Sequence, residues 1–152
     1  MKMEFSLQNC FWLILPLLAW NIILGPRITD PRITWDARSP QWLLVAENIA
    51  RFLVFVLPLL IPLPRGQVWQ SALSKAGLAV YIFGTLIYFS SWLPLLLAPA
   101  SFWSNSTAGL LAPRLTPYLS FLGIALLGGT WLYGVLAAAF ISLHTWHGIQ
   151  NL

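Results

Sequence analysis

From Ala76 to Leu152 the chain carries one formally charged side chain, Arg114. No water-soluble fold is built from such a stretch, because solvent-facing positions need charge, and a soluble domain is about 25% charged. The whole chain of 152 residues is 8% charged and 59% hydrophobic. The solvent it is built for is lipid. At ~20 residues per crossing, the length allows about four crossings with short connections. The apolar content excludes intrinsic disorder, and the single cysteine, Cys10, excludes an internal disulfide. The 8 Lys+Arg against 4 Asp+Glu give a net charge of +4. Those cations are scattered between apolar runs instead of forming a patch, so no nucleic-acid partner is expected.

Four apolar stretches stand out. Each is read as a helix, since a lone apolar segment in lipid must satisfy its own backbone and the alternation of a barrel strand is absent. The first, about 5–24, has no charge between Glu4 and Arg27. Trp12, Pro16, Trp20 and Asn21 interrupt it and no small-x-small site precedes Gly25-Pro26, so a retained signal-anchor is expected. The second, about 42–63, follows Ser39-Pro40, which suits an N-cap with proline at the first helical position. Its charge-free part, Phe52 to Leu63, is too short at ~1.5 Å per residue to cover a ~30 Å hydrocarbon core. Glu47, Asn48 and Arg51 are therefore expected within the membrane's thickness, with Pro58 and Pro62 bending the far half. The third stretch is 76–97. The fourth, 115–143, is longer than a perpendicular crossing needs and should tilt, or begin as a surface segment near Pro117.

The expected architecture is all-α: an antiparallel bundle of four transmembrane helices forming one integral membrane domain over 1–152, with no soluble part. Loop one repeats itself, Pro26-Arg27-Ile28-Thr29-Asp30 then Pro31-Arg32-Ile33-Thr34-Trp35-Asp36, and its prolines favour an extended or turn-rich connector. Loop three, Pro99 to Pro113, is uncharged and aromatic and should lie in the interface. Its Asn105-Ser106-Thr107 fits a glycosylation pattern, a three-residue match of little weight. Four spans put both termini and loop two on one side with Lys2, Arg65 and Lys75, against Arg27, Arg32, Arg38 and Arg114 on the other. Lys2 and the free amino group before the first helix tip the reading toward cytoplasmic termini.

Glu47 and Arg51 carry the strongest chemical signal. Four residues apart with the acid first, they share a helix face in the favourable order. Ionisable groups inside a span face protein or water and pair with a partner; the competing reading is that both side chains snorkel to the interface. With Asn48, and Asn21 of the first span, they define the candidate ligand-binding cluster, a polar crevice in one half of the bilayer. Gly77, Tyr81, Gly84, Tyr88 and Ser91 form a seam of small and aromatic residues on the third span. The fourth adds Ala125-x-x-x-Gly129 and Gly134-x-x-x-Ala138, so Gly77, Gly84, Ser91 and Gly129 are the expected packing positions. His144 and His147 are three apart and are weak metal candidates, because further ligands at fixed spacing are missing. No metal and no cofactor is expected. No phosphate loop, nucleophile elbow, zinc-protease helix or acidic dyad appears, so a non-enzymatic role is favoured.

Two stretches carry a resemblance. Glu47-Asn48-Ile49-Ala50-Arg51 leading into Phe55-Val56-Leu57-Pro58-Leu59, and Gly77 through Tyr81, Gly84, Tyr88 and Ser91-Trp92-Leu93-Pro94, resemble a group of small uncharacterised bacterial polytopic membrane proteins. The resemblance implies four helices and a bacterial inner-membrane (plasma-membrane) address, and it brings no activity. The leading expectation is an accessory or scaffold component packing through small-residue helix faces, with the lipid bilayer, other membrane proteins or itself as partners. The alternative is a small transport or lipid-handling protein using the crevice around Glu47 and Arg51.

Overall fold

The computed structural model describes residues 8–28, 39–64, 66 and 70–152. The described residues are helical: α1 Phe11–Leu24, α2 Gln41–Val56, α3 Ala72–Leu97, α4 Thr107–Leu115, α5 Pro117–Leu127 and α6 Trp131–Gln150. Short 3-10 turns extend α1 through Gly25–Arg27 and α2 through Leu57–Leu60. Four helical segments are long and apolar enough to cross a membrane: Gln41–Leu60, Ala72–Leu97, Thr107–Leu127 and Trp131–Gln150. Most of the loop-one repeat, and with it the expectation of an extended connector, lies outside the described residues.

The number of long apolar helices is the expected one, and the second and third stretches supply two of them, but the first and fourth stretches do not behave as expected. The first stretch gives a helix of only 14 residues, and 115–143 is not one helix. It is cut by a reversal at Gly128-Gly129-Thr130. Gly129 has φ +62°, the left-handed conformation that glycine adopts without a Cβ penalty. The Thr130 N–H reaches back to the Ala125 carbonyl at 2.8 Å and the Gly129 N–H to Leu126 at 3.2 Å, the pairing that closes a helix in a Schellman motif. Trp131 then starts α6 at once. Upstream, the fourth span begins eight residues before the expected start, at Thr107, because the Ser106 hydroxyl caps it by accepting the Gly109 N–H at 3.0 Å. The back half of loop three is therefore helix, bent at Thr116, where Pro117 has no N–H to continue the ladder. The front half caps α3: Ser104, buried, places its hydroxyl 2.9 Å from both the Pro94 and Ala98 carbonyl oxygens.

Packing follows the small residues. α3 and α5 run antiparallel in close contact. A Cβ on Gly77 would lie 2.5 Å from the Leu127 backbone nitrogen, one on Gly84 2.6 Å from that of Ser120, and one on Gly123 would strike the Tyr81 backbone. Hydroxyl pairs continue the seam, Thr85 to Ser120 at 3.1 Å and Ser91 to Thr116 at 3.2 Å. Gly129 takes no part in this contact: it sits in the turn with open space around it. α2 and α6 form a second antiparallel pair. Pro58 leaves the Val54 carbonyl without its α-helical donor, and the buried Tyr133 hydroxyl donates to that carbonyl at 3.1 Å. The rings of Phe55, Phe121 and Phe140, with centroids 6.1–6.2 Å apart, join the two pairs through α2, α5 and α6.

The two ends of this array are chemically distinct. At one end Asn151 donates to the Ser39 hydroxyl at 2.6 Å, so Ser39 holds the chain's far end and Pro40 takes the N-cap position of α2 expected for Ser39. At the other end the Cys10 N–H meets the Ile61 carbonyl at 2.8 Å and the Leu63 N–H that of Gln8 at 3.0 Å. Gln8 and Asn151 therefore lie at opposite ends, whereas four crossings beginning with α1 put both termini together. The extra reversal at Gly128-Gly129 is the reason. Reporter fusions after Leu152 and after Ile28 are accordingly expected to report one side of the membrane, and a fusion after Gly66 the other. Agreement between Leu152 and Gly66 would show this arrangement to be wrong.

Candidate functional site

Glu47 lies six residues into α2, about 9 Å along it at ~1.5 Å per residue, and is 1% exposed. Its carboxylate is held from three directions. Arg51, one turn on, contributes Nη2 to Oε1; His144 Nδ1 stands 2.9 Å from Oε1 and His147 Nδ1 2.5 Å from Oε2. An ionised carboxylate only accepts hydrogen bonds, so both imidazoles present Nδ1–H to it and keep Nε2 for other partners. The histidines are three apart on α6 and share a face, and the antiparallel α2–α6 register brings that face over Glu47. His144 is further fixed by stacking on Phe140, with centroids 5.5 Å apart and ring planes at 17°. Trp42 and Trp146, edge to face at 5.4 Å, close the same interface toward the chain's end.

Beside this cluster lies a cavity of about 180 Å³, lined from four helices by Asn21, Trp92, Leu110, Arg114 and His144 among others. Arg114 lies across Gly148 of α6, where a Cβ would come within 2.5 Å of its Nη1. Only a residue without a side chain lets the guanidinium settle there. His144 thus stands between two environments: its Nδ1 holds Glu47, and its ring borders the cavity.

The four expected cluster residues divide. Glu47 is turned inward, and Arg51, about 40% exposed at its side chain, folds back onto it. Each has the other as a partner, and Glu47 is also held by His144 and His147. Asn48 is exposed, about 100° round α2 from Glu47. Asn21 does not touch Glu47; its amide donates to the Leu17 carbonyl at 3.1 Å and it reaches the cavity instead. His144, His147 and Arg114 were not expected at this place. Among the described residues no group of three or more His, Cys, Asp or Glu is arranged to hold a metal ion.

No known protein family, curated protein or solved structure matches the chain.

Proposed function

We propose that the protein is a small integral membrane protein that moves a lipid or small solute by way of the polar site around Glu47 and Arg51. The observation that carries this reading is a buried carboxylate within a candidate span, gripped by Arg51, His144 and His147 and bordered by a cavity. Charged side chains at the bilayer centre cost about 2.5–3.5 kcal/mol each on insertion scales, less nearer the edge. Apolar packing would join α2 to α6 without that cost. Intramembrane ionisable clusters of this kind mark substrate or ion pathways. The scaffold reading draws its support from small-residue faces, and the main one is already occupied: Gly77 and Gly84 are covered by α5 of the same chain.

The test is reconstitution into vesicles, following both inter-leaflet exchange of a labelled lipid and release of a trapped small solute. One of the two should exceed protein-free vesicles, and Glu47→Gln should lower it by about tenfold, the effect of ~1.4 kcal/mol, with helicity and elution volume unchanged. Rates equal to protein-free vesicles in both assays, or full activity in the variant, would rule the reading out.

A further inference from the structure

One carboxylate oxygen at the Glu47 site is shared by two donors. Arg51 Nη2 and His144 Nδ1 both bind Oε1, whereas Oε2 goes to His147. With both imidazoles neutral and donating through Nδ1, the nitrogen left to accept a proton is Nε2 in each ring. The two rings differ in access. His147 is 11% exposed at its side chain and does not line the cavity, while His144 is 26% exposed and does. At ~30 Å³ of liquid volume per water molecule, about 180 Å³ has room for several waters against the His144 ring. The charged and titratable groups around that ring are Glu47 and Arg51 from α2, Arg114 from α4, and His147 one turn on along α6. α3 places the Tyr88 hydroxyl beside Trp92 and Asn21 of α1, and Tyr118 of α5 borders a different groove, with Ala138. Arg51 and Arg114 oppose a further positive charge at His144, and Glu47 favours it. The opposition falls if one arginine can leave. Arg51 has the room, with 42% of its side chain exposed, while His144 is stacked on Phe140 and Arg114 lies against Gly148.

We infer that His144 is a proton-binding site and that its protonation displaces Arg51 from Glu47, so that the movement of lipid or solute is driven by protons. A proton from water in the cavity forms a new N–H bond at Nε2. No bond within the protein breaks: Nδ1–H stays on Oε1, Glu47 stays ionised, and the cluster gains one positive charge. The Nδ1–H bond to Oε1 becomes charge-assisted and roughly twice as strong. Two cations then compete for one oxygen, and Arg51 extends toward the interface as long cationic side chains in spans do. The histidines keep α2 and α6 joined throughout. The inference rests on the proposed transport role and gives that role its coupling ion.

The experiment follows the full chain, carrying isotope-labelled histidine in lipid nanodiscs, by nitrogen NMR. The chain has two histidines, so His147→Gln assigns the spectrum. His144 should be neutral with its proton on Nδ1 at about pH 8 and doubly protonated by about pH 5, while His147 stays neutral. In Arg51→Gln, His144 should bind its proton about tenfold more tightly, because a like charge has gone from the shared oxygen. In vesicles, whichever movement exceeds the protein-free rate should be about tenfold faster at about pH 5.5 than at about pH 7.5. His144→Gln keeps a neutral N–H donor for Glu47 but cannot take the proton, so its rate should hold the wild type's alkaline value at both. A His144 that stays neutral down to about pH 5, or unchanged proton binding in Arg51→Gln, would overturn the exchange at Glu47. Vesicle activity equal at both pH values would overturn the coupling and leave the transport reading standing. Protonation of His144 that answers to Arg51, in a protein without vesicle activity, would refute the transport reading alone.

Discussion

Gly84→Leu is expected to leave no folded protein in detergent, while Gly134→Ala is tolerated. At Gly84 even a methyl group would stand 2.6 Å from the Ser120 nitrogen and 2.7 Å from the Leu119 carbonyl carbon. The obstacle is backbone, so no rotamer change relieves it and α3 and α5 must separate. Overpacking a well-packed contact costs typically 1–3 kcal/mol where side chains can shift; here the contact that must open runs from Gly77 to Ser91, and the cost exceeds that range. At Gly134 the added Cβ would meet Ala125 Cβ at 3.4 Å and Leu122 Cδ1 at 3.9 Å, ordinary contact distances. The helix-propensity gain of about 1 kcal/mol for replacing glycine by alanine is then available. Thermal melts followed by size-exclusion recovery decide the matter. Similar behaviour of the two variants would mean that the α3–α5 seam does not hold the structure together.

Glu47→Ala is expected to be the most destabilising substitution on α2, by about 3–5 kcal/mol. It removes the one anion from a site that keeps Arg51, His144 and His147, and the unsatisfied groups left behind account for most of the loss. Replacing all four together by apolar residues (Glu47→Leu, Arg51→Met, His144→Phe, His147→Leu) should recover most of the stability, as buried ion clusters exchanged whole often do. Unfolding titrations in mixed micelles would measure both. A null effect of Glu47→Ala would show that the cluster contributes nothing to the α2–α6 contact. The apolar quadruple separates two roles, since it is expected to fold and to show none of the wild type's vesicle activity.

Some of this molecule is legible in its sequence and some is not. The long apolar helix α3 is plain, because twenty-two uncharged residues from Ala76 to Leu97 have no solvent but lipid to suit them. Glu47 and Arg51 are equally conspicuous, being charges a span cannot avoid. The reversal at Gly128-Gly129 is different. Adjacent glycines mark a turn in a soluble chain, but glycine is common inside membrane helices, so an uninterrupted helix over 115–143 was physically permissible. That one ambiguity moves everything after it to the other end of the helical array. With the reversal missed, His144 and His147 lie at the end away from Glu47 and read as an incomplete metal pair. With it in place, they face Glu47. Arg114 escaped notice for a different reason: as a lone cation after a proline it reads as the end of a loop, and only the capped helix from Thr107 draws it inside.

The Tyr133–Val54 hydrogen bond has a mechanical consequence. Apolar helix faces in lipid can slide or roll past one another at little expense, and a single polar contact between two of them acts as a pivot. α2 and α6 have two such contacts, Glu47 with the histidines and the Val54 carbonyl with Tyr133, seven residues or about 10 Å apart along α2. Two fixed points suppress both sliding and rolling, so α2 and α6 move as one beam. Any widening of the cavity must then come from its other walls, α1, α3 and the Arg114-bearing α4, moving against that beam while the Glu47 cluster stays closed.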